Sequence, residues 1–222
     1  MIEKKYEYSG WLRITHWIRA LSIVVLTVTG FYIAVPFIAP HITNEPVNFM
    51  NALFRSWHEI FGFLLICVTI GKIYLFIFDK QSKGERRSFI DFISPKVWIA
   101  QLKYYMLVGK HPDGRGVYNP LQFIAYLTVY LALIVVSITG LVLYVHNFHE
   151  GLGGALYDMA KPLEIMMGGL AGTRQIHHIS MWVFILFLPV HIYMAVFNSV
   201  FGKHGTLDSI FSGYLWTHKK DD

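Results

Sequence analysis

The chain has 222 residues, 55% of them hydrophobic and only 15% charged, with a formal net charge of +5. That balance, with a mean hydropathy of +0.45, excludes an ordinary soluble globular domain and points to a polytopic membrane protein. The basic excess follows the loops rather than one patch, so it calls for no nucleic-acid partner.

Four apolar runs, at about residues 17–39, 57–78, 121–145 and 178–200, are each long enough to cross a bilayer. They predict a single membrane domain, all-α, built as a four-helix bundle. The N-terminal residues are polar and of mixed charge, and the first run is too long for a signal-peptide core, so no cleavable signal is expected. Fifteen Lys and Arg residues fall in the N-terminal tail, the connection between runs two and three, and the C-terminal tail, against three in the other two connections. By the positive-inside rule both termini are cytoplasmic.

The first span opens W-L-R-I-T-H-W-I-R, with His16 at its cytoplasmic start. Gly30 follows fourteen residues on, on the same helical face, and Pro36 and Pro40 end the span. Residues 41–56 read as a short polar outer connection. The second span opens R-S-W-H-E-I-F-G and places His58 at its outer start. Lys72, deep in this span, is expected to snorkel to the interface rather than to pair with an anion. Cys67 is the one cysteine; it is expected to be a small core thiol, and no C-x-x-C-H offers covalent haem attachment.

The inner loop, residues 79–119, carries the pattern of an interfacial helix at about 95–108. Ser94 stands at its N-cap, Pro95 at its first position, and Trp98, Leu102, Tyr105 and Met106 on one face. G-V-Y-N-P-L-Q, residues 116–122, leads into the third span, which ends T-G-L-V-L-Y before His146. The second outer loop is rich in Gly and Met and is expected to hold a short helix near Leu156–Met166. The tail after Asn198 is expected to rest on the inner surface.

The fourth span carries the chemistry. It is apolar, yet it contains His177, His178 and His191, and ionisable groups at membrane depth are costly and usually functional. His177 and His191 are fourteen residues apart, about 40° short of four full turns, so they share a face about 21 Å apart along the axis. His178 points elsewhere and is expected to be a satisfied polar residue. Depth then pairs the histidines: His58 with His177 outside, His16 with His191 inside. Arg-x-x-His occurs at Arg13–His16, Arg55–His58 and Arg174–His177, each Arg one turn toward water, where a guanidinium suits a carboxylate such as a haem propionate. Gly30 is expected to allow close approach of an outer porphyrin, helix packing being the alternative use of a membrane-helix glycine. Two imidazoles per site with no further carboxylate or thiolate fit axial ligation of haem better than zinc, which needs two more ligands. The expectation is two haems b and electron transfer. His41, His111, His146, His149, His204 and His218 are expected to be solvated, and His146-x-x-His149-Glu150 is too short a motif to assign a metal.

The chain resembles the b-type cytochrome subunit of membrane-bound nickel–iron hydrogenases over nearly its whole length. The resemblance is carried by R-I-T-H-W at 13–17, R-S-W-H-E-I-F-G at 55–62, N-P-L-Q at 119–122, T-G-L at 139–141, R-Q-I-H-H at 174–178 and H-I-Y at 191–193. The cytochrome subunit of respiratory formate dehydrogenases is similar in plan. The resemblance implies a diheme anchor in the bacterial cytoplasmic (inner) membrane, partnered by the hydrogenase small iron–sulfur subunit, the large nickel–iron subunit and membrane lipid. It maps the axial ligands to His16, His58, His177 and His191. It implies quinone, menaquinone or ubiquinone, reduced near the inner haem beside Asn119 and Gln122. No hydrogenase chemistry is expected in this chain itself. Service to formate dehydrogenase or another periplasmic oxidoreductase is one alternative; a transporter with a histidine proton relay is another.

Overall fold

The structure, a computed structural model, describes residues 2–38, 49–80, 82–106, 108, 115–200 and 206–218. Along the chain these form β1 (Ile2–Tyr6), α1 (Gly10–Ala34), α2 (Met50–Phe78), α3 (Lys83–Ile93), α4 (Pro95–Tyr105), α5 (Pro120–Asn147), α6 (Leu152–Met166), α7 (Gly169–Val200), α8 (Thr206–Ser212) and β2 (Tyr214–His218). Four of the described helices, α1, α2, α5 and α7, are long and apolar enough to cross a membrane. Helices α1, α2 and α7 begin well before their apolar runs, at Gly10, Met50 and Gly169, because polar residues continue a helix into the headgroup region at little cost. Pro40, His41, His111 and His204 lie outside the described residues.

Two compact units divide the chain. One comprises Thr15–Thr69 and Ala132–Leu186. Its outward faces are apolar: Leu21, Val24, Val28, Ile134 and Leu186 are exposed, as suits helices solvated by lipid. Its interior is studded with hydroxyls instead: Ser22, Thr29, Thr69, Thr139, Thr173 and Ser180 are buried. Small residues let membrane helices approach closely. Most of these hydroxyls satisfy themselves on their own helix, as Ser22 does on the Ile18 carbonyl and Thr69 on that of Leu65. Tyr32 stacks on Phe54 at 3.7 Å between ring centroids. Ala160 anchors α6 against Val142 and Val145 of α5. The short outer helix expected near Leu156 is therefore α6, and it starts earlier, at Leu152. Cys67 is exposed rather than in the core; a thiol is apolar enough to face lipid without loss.

The other unit comprises Met1–Ile14, Ile70–Leu131 and Phe187–Asp222. Here β1 and β2 pair antiparallel, with Lys4 opposite Trp216, and the Lys4 ammonium sits 4.3 Å from the Tyr214 ring centre. This small sheet was not expected in an all-α fold; everything longer is helical. The helix expected at about 95–108 is α4, entered at Ser94 and Pro95 and ending at Tyr105. It is preceded by α3, which was not anticipated. Two buried α3 side chains hold the incoming loop: the Asp91 carboxylate accepts the backbone N–H groups of Arg115 and Gly116 at 2.6 and 2.7 Å, and Ser88 Oγ accepts that of Tyr118 at 3.0 Å. Position 116 must be glycine here, because a Cβ would stand 2.4 Å from the Ser88 backbone.

Lys72 does not snorkel. Its Nζ lies 3.0 and 2.8 Å from the two carboxylate oxygens of Glu85 on α3, and both side chains are buried. Tyr118 donates its hydroxyl to the same carboxylate at 3.2 Å. A charged partner within reach removes the reason to stretch toward water: a buried ammonium is tolerated once paired and hydrogen-bonded.

Candidate functional site

A cavity of about 670 Å³ lies within the unit of residues 15–69 and 132–186. Its size falls in the roughly 300–1,000 Å³ range of cofactor sites. His58 from α2 and His177 from α7 both line it. Their ring centroids stand 6.2 Å apart. Phe31, Phe63, Met181 and Phe184 supply apolar wall, while Arg55, Arg174 and His178 add polar groups.

The two imidazoles are held in the same way. Thr29 Oγ1 on α1 lies 2.9 Å from His58 Nδ1, and Thr139 Oγ1 on α5 lies 2.9 Å from His177 Nδ1. Each threonine is followed by a glycine over which the ring sits. A Cβ on Gly30 would stand 3.3 Å from His58 Cε1, and one on Gly140 would stand 3.5 Å from His177 Cε1. Gly30, expected to give room to a porphyrin, lines the cavity and gives room first to an imidazole. Reading the motifs alone missed Thr29, Thr139 and Gly140 as site residues. The signal was the recurrence of one pattern, V-T-G-F at 28–31 and I-T-G-L at 138–141.

The donor set fits haem. Two imidazole rings on opposite sides of one metal ion stand about 6 Å apart, from bonds of about 2 Å and roughly an ångström more to each ring centre. Two imidazoles line one largely apolar chamber, with Arg55 and Arg174 on its lining available to carboxylates.

The remaining candidates belong to other surroundings. His16, on α1, meets Trp17 edge-to-face at 5.4 Å. His191, on the stretch of α7 in the other unit, stacks on Phe187 at 5.2 Å and has Tyr126 at 6.3 Å. Arg13 donates its guanidinium to the carbonyl of Phe211 in α8. Asn119 and Gln122 form a reciprocal capping box at the start of α5. Asn119 Oδ1 accepts the Gln122 N–H at 2.9 Å, and Gln122 Oε1 accepts the Asn119 N–H at 3.1 Å. His146 lines the cavity, with the His149 ring 6.4 Å from its own.

Four membrane-length helices enclosing a chamber with two opposed, threonine-tethered imidazoles define a b-type cytochrome architecture. The chain belongs to the prokaryotic cytochrome b561 family, whose match extends over residues 7–213. It is 30% identical to a protein of Azotobacter vinelandii named as a probable Ni/Fe-hydrogenase B-type cytochrome subunit, covering 98% of this chain and 90% of that one. A Rhizobium leguminosarum protein of the same name is also 30% identical, over 98% of this chain and 91% of its own. An Escherichia coli K12 protein named as a probable Ni/Fe-hydrogenase 1 B-type cytochrome subunit is 24% identical, over 96% and 91%.

Proposed function

We propose that this chain is the electron-transfer membrane subunit of a nickel–iron hydrogenase, handing electrons to the quinone pool. The observation that carries the reading is the opposed pair His58 and His177, 6.2 Å between ring centroids in an apolar chamber. Bound there, haem b would supply reversible one-electron transfer. The residues of this chain do the rest. His58 and His177 hold the outer haem, and Arg55 and Arg174 pair with its propionates. By their depth in the sequence, His16 and His191 are the candidate ligands of a second, inner haem. Asn119 and Gln122 receive the quinone head group on the cytoplasmic side, where both termini lie. The partners are the small iron–sulfur and large nickel–iron subunits.

Purification of the full chain with its partner subunits tests this. The expected result is reducible b-type absorbance, about two haems per chain by pyridine haemochrome, and hydrogen-dependent quinone reduction. Substituting His58 or His177 by Ala removes the outer haem. A colourless protein, or one that keeps both haems after these substitutions, overturns the assignment and favours a transporter. Co-purification with formate dehydrogenase subunits instead keeps the haems and replaces the partner.

A further inference from the structure

Each outer imidazole is tied to a threonine that has no proton to give it. Thr29 Oγ1 lies 2.8 Å from the Val25 carbonyl, and Thr139 Oγ1 lies 2.8 Å from that of Val135. A carbonyl only accepts, so each threonine makes both contacts at once only by donating its one proton to its own helix. The oxygen lone pairs facing His58 Nδ1 and His177 Nδ1, both at 2.9 Å, can therefore only accept. It follows that Nδ1 carries the proton in both rings and Nε2 carries the lone pair.

We propose that Thr29 and Thr139 are the positioning residues of the outer metal centre. They lock both imidazoles as the Nε2-donating tautomer and strengthen them as electron donors. The proposal rests on the assignment of His58 and His177 as haem ligands. A metal-bound imidazole whose other nitrogen donates a hydrogen bond becomes more basic and better oriented, and loss of such a partner commonly costs about 10–100-fold in metal affinity. The arrangement is two-fold in character: α1 offers Thr29–Gly30 to the α2 histidine, and α5 offers Thr139–Gly140 to the α7 histidine. The hydroxyl fixes the ring's proton, and the adjacent bare Cα leaves room for the ring's edge. A more basic ligand favours the ferric state, so the two threonines hold the outer potential down.

The test is a redox titration of the haem absorbance in the full chain, with Thr29→Val and Thr139→Val against their serine counterparts. His58→Ala identifies the outer component by its loss. Each valine variant is expected to raise the outer midpoint potential and weaken haem retention about ten-fold or more, with the inner component unmoved. Thr29→Ser and Thr139→Ser restore the wild-type values, because serine keeps the acceptor. Unchanged outer potentials in both valine variants overturn the proposal while leaving the ligand assignment intact. If a valine variant loses haem altogether, its serine variant decides. Serine retaining haem at the wild-type potential supports the hydroxyl's role; serine failing like valine overturns it. Retention of both haems in His58→Ala and His177→Ala overturns the ligand assignment and this proposal with it.

Discussion

The His58 imidazole lies over the bare Cα of Gly30, so close that a Cβ there would stand 3.3 Å from Cε1. The matching distance from Gly140 to His177 Cε1 is 3.5 Å, an ordinary van der Waals contact. Two positions of one motif thus differ in how much room they leave.

Alanine at these two positions is therefore expected to act unequally. Gly30→Ala must shift the His58 ring by a few tenths of an ångström, against a hydrogen bond that holds it at 2.9 Å. Gly140→Ala asks for no such movement. Haem content after purification is expected to fall in Gly30→Ala and to stay near wild type in Gly140→Ala. Equal losses would assign the glycines to helix packing instead.

The Lys72–Glu85 pair makes a separate prediction about stability. Both side chains are more than nine-tenths shielded, so removing one partner strands a buried charge. Glu85→Gln is expected to cost about 3–5 kcal/mol. Replacing both partners together, Lys72→Met with Glu85→Leu, is expected to cost far less, because no charge remains to desolvate. Denaturation in detergent micelles measures the coupling, and additive losses would deny it.

Tyr118 gives the pair a pH dependence. Burial, and then the Glu85 charge, pushes its hydroxyl well above the ordinary tyrosine value. The folded protein thus holds a proton that the unfolded chain releases above about pH 10. The stability this contributes is complete below that pH and declines as pH rises beyond it. Tyr118→Phe is expected to flatten the alkaline decline, and to cost about 1.5–3 kcal/mol at neutral pH through the lost bond to the carboxylate. Unfolding curves across alkaline pH, compared between the two proteins, provide the check.

How much of this was legible beforehand depended on range. Two histidines on one helix have a fixed angular and axial relation, so His177 and His191 could be placed by counting, and hydropathy supplied the depth that matched His58 to His177. Partners set by tertiary approach could not be counted. Glu85 sits in a charged segment, K-G-E-R-R, that reads as loop, and nothing local points it at Lys72. The pairing of Ile2–Tyr6 with Tyr214–His218 joins segments about 200 residues apart. Thr29 and Thr139 looked ordinary because hydroxyls in membrane helices usually bond only their own backbone; here each does that and receives an imidazole as well.

Asn119 has two possible duties, and its geometry separates them. Its Oδ1 caps α5 at the Gln122 N–H, a task that aspartate performs as well as asparagine. A quinone carbonyl needs the carboxamide's N–H, which aspartate lacks. Asn119→Asp is therefore expected to unfold like the wild type, keep its haem spectrum and lose most hydrogen-dependent quinone reduction. Asn119→Ala should lose the same activity and about 1 kcal/mol of stability besides, since the cap goes with it. If aspartate sustains wild-type turnover while alanine only loses stability, the residue is a cap and the quinone head group is bound elsewhere.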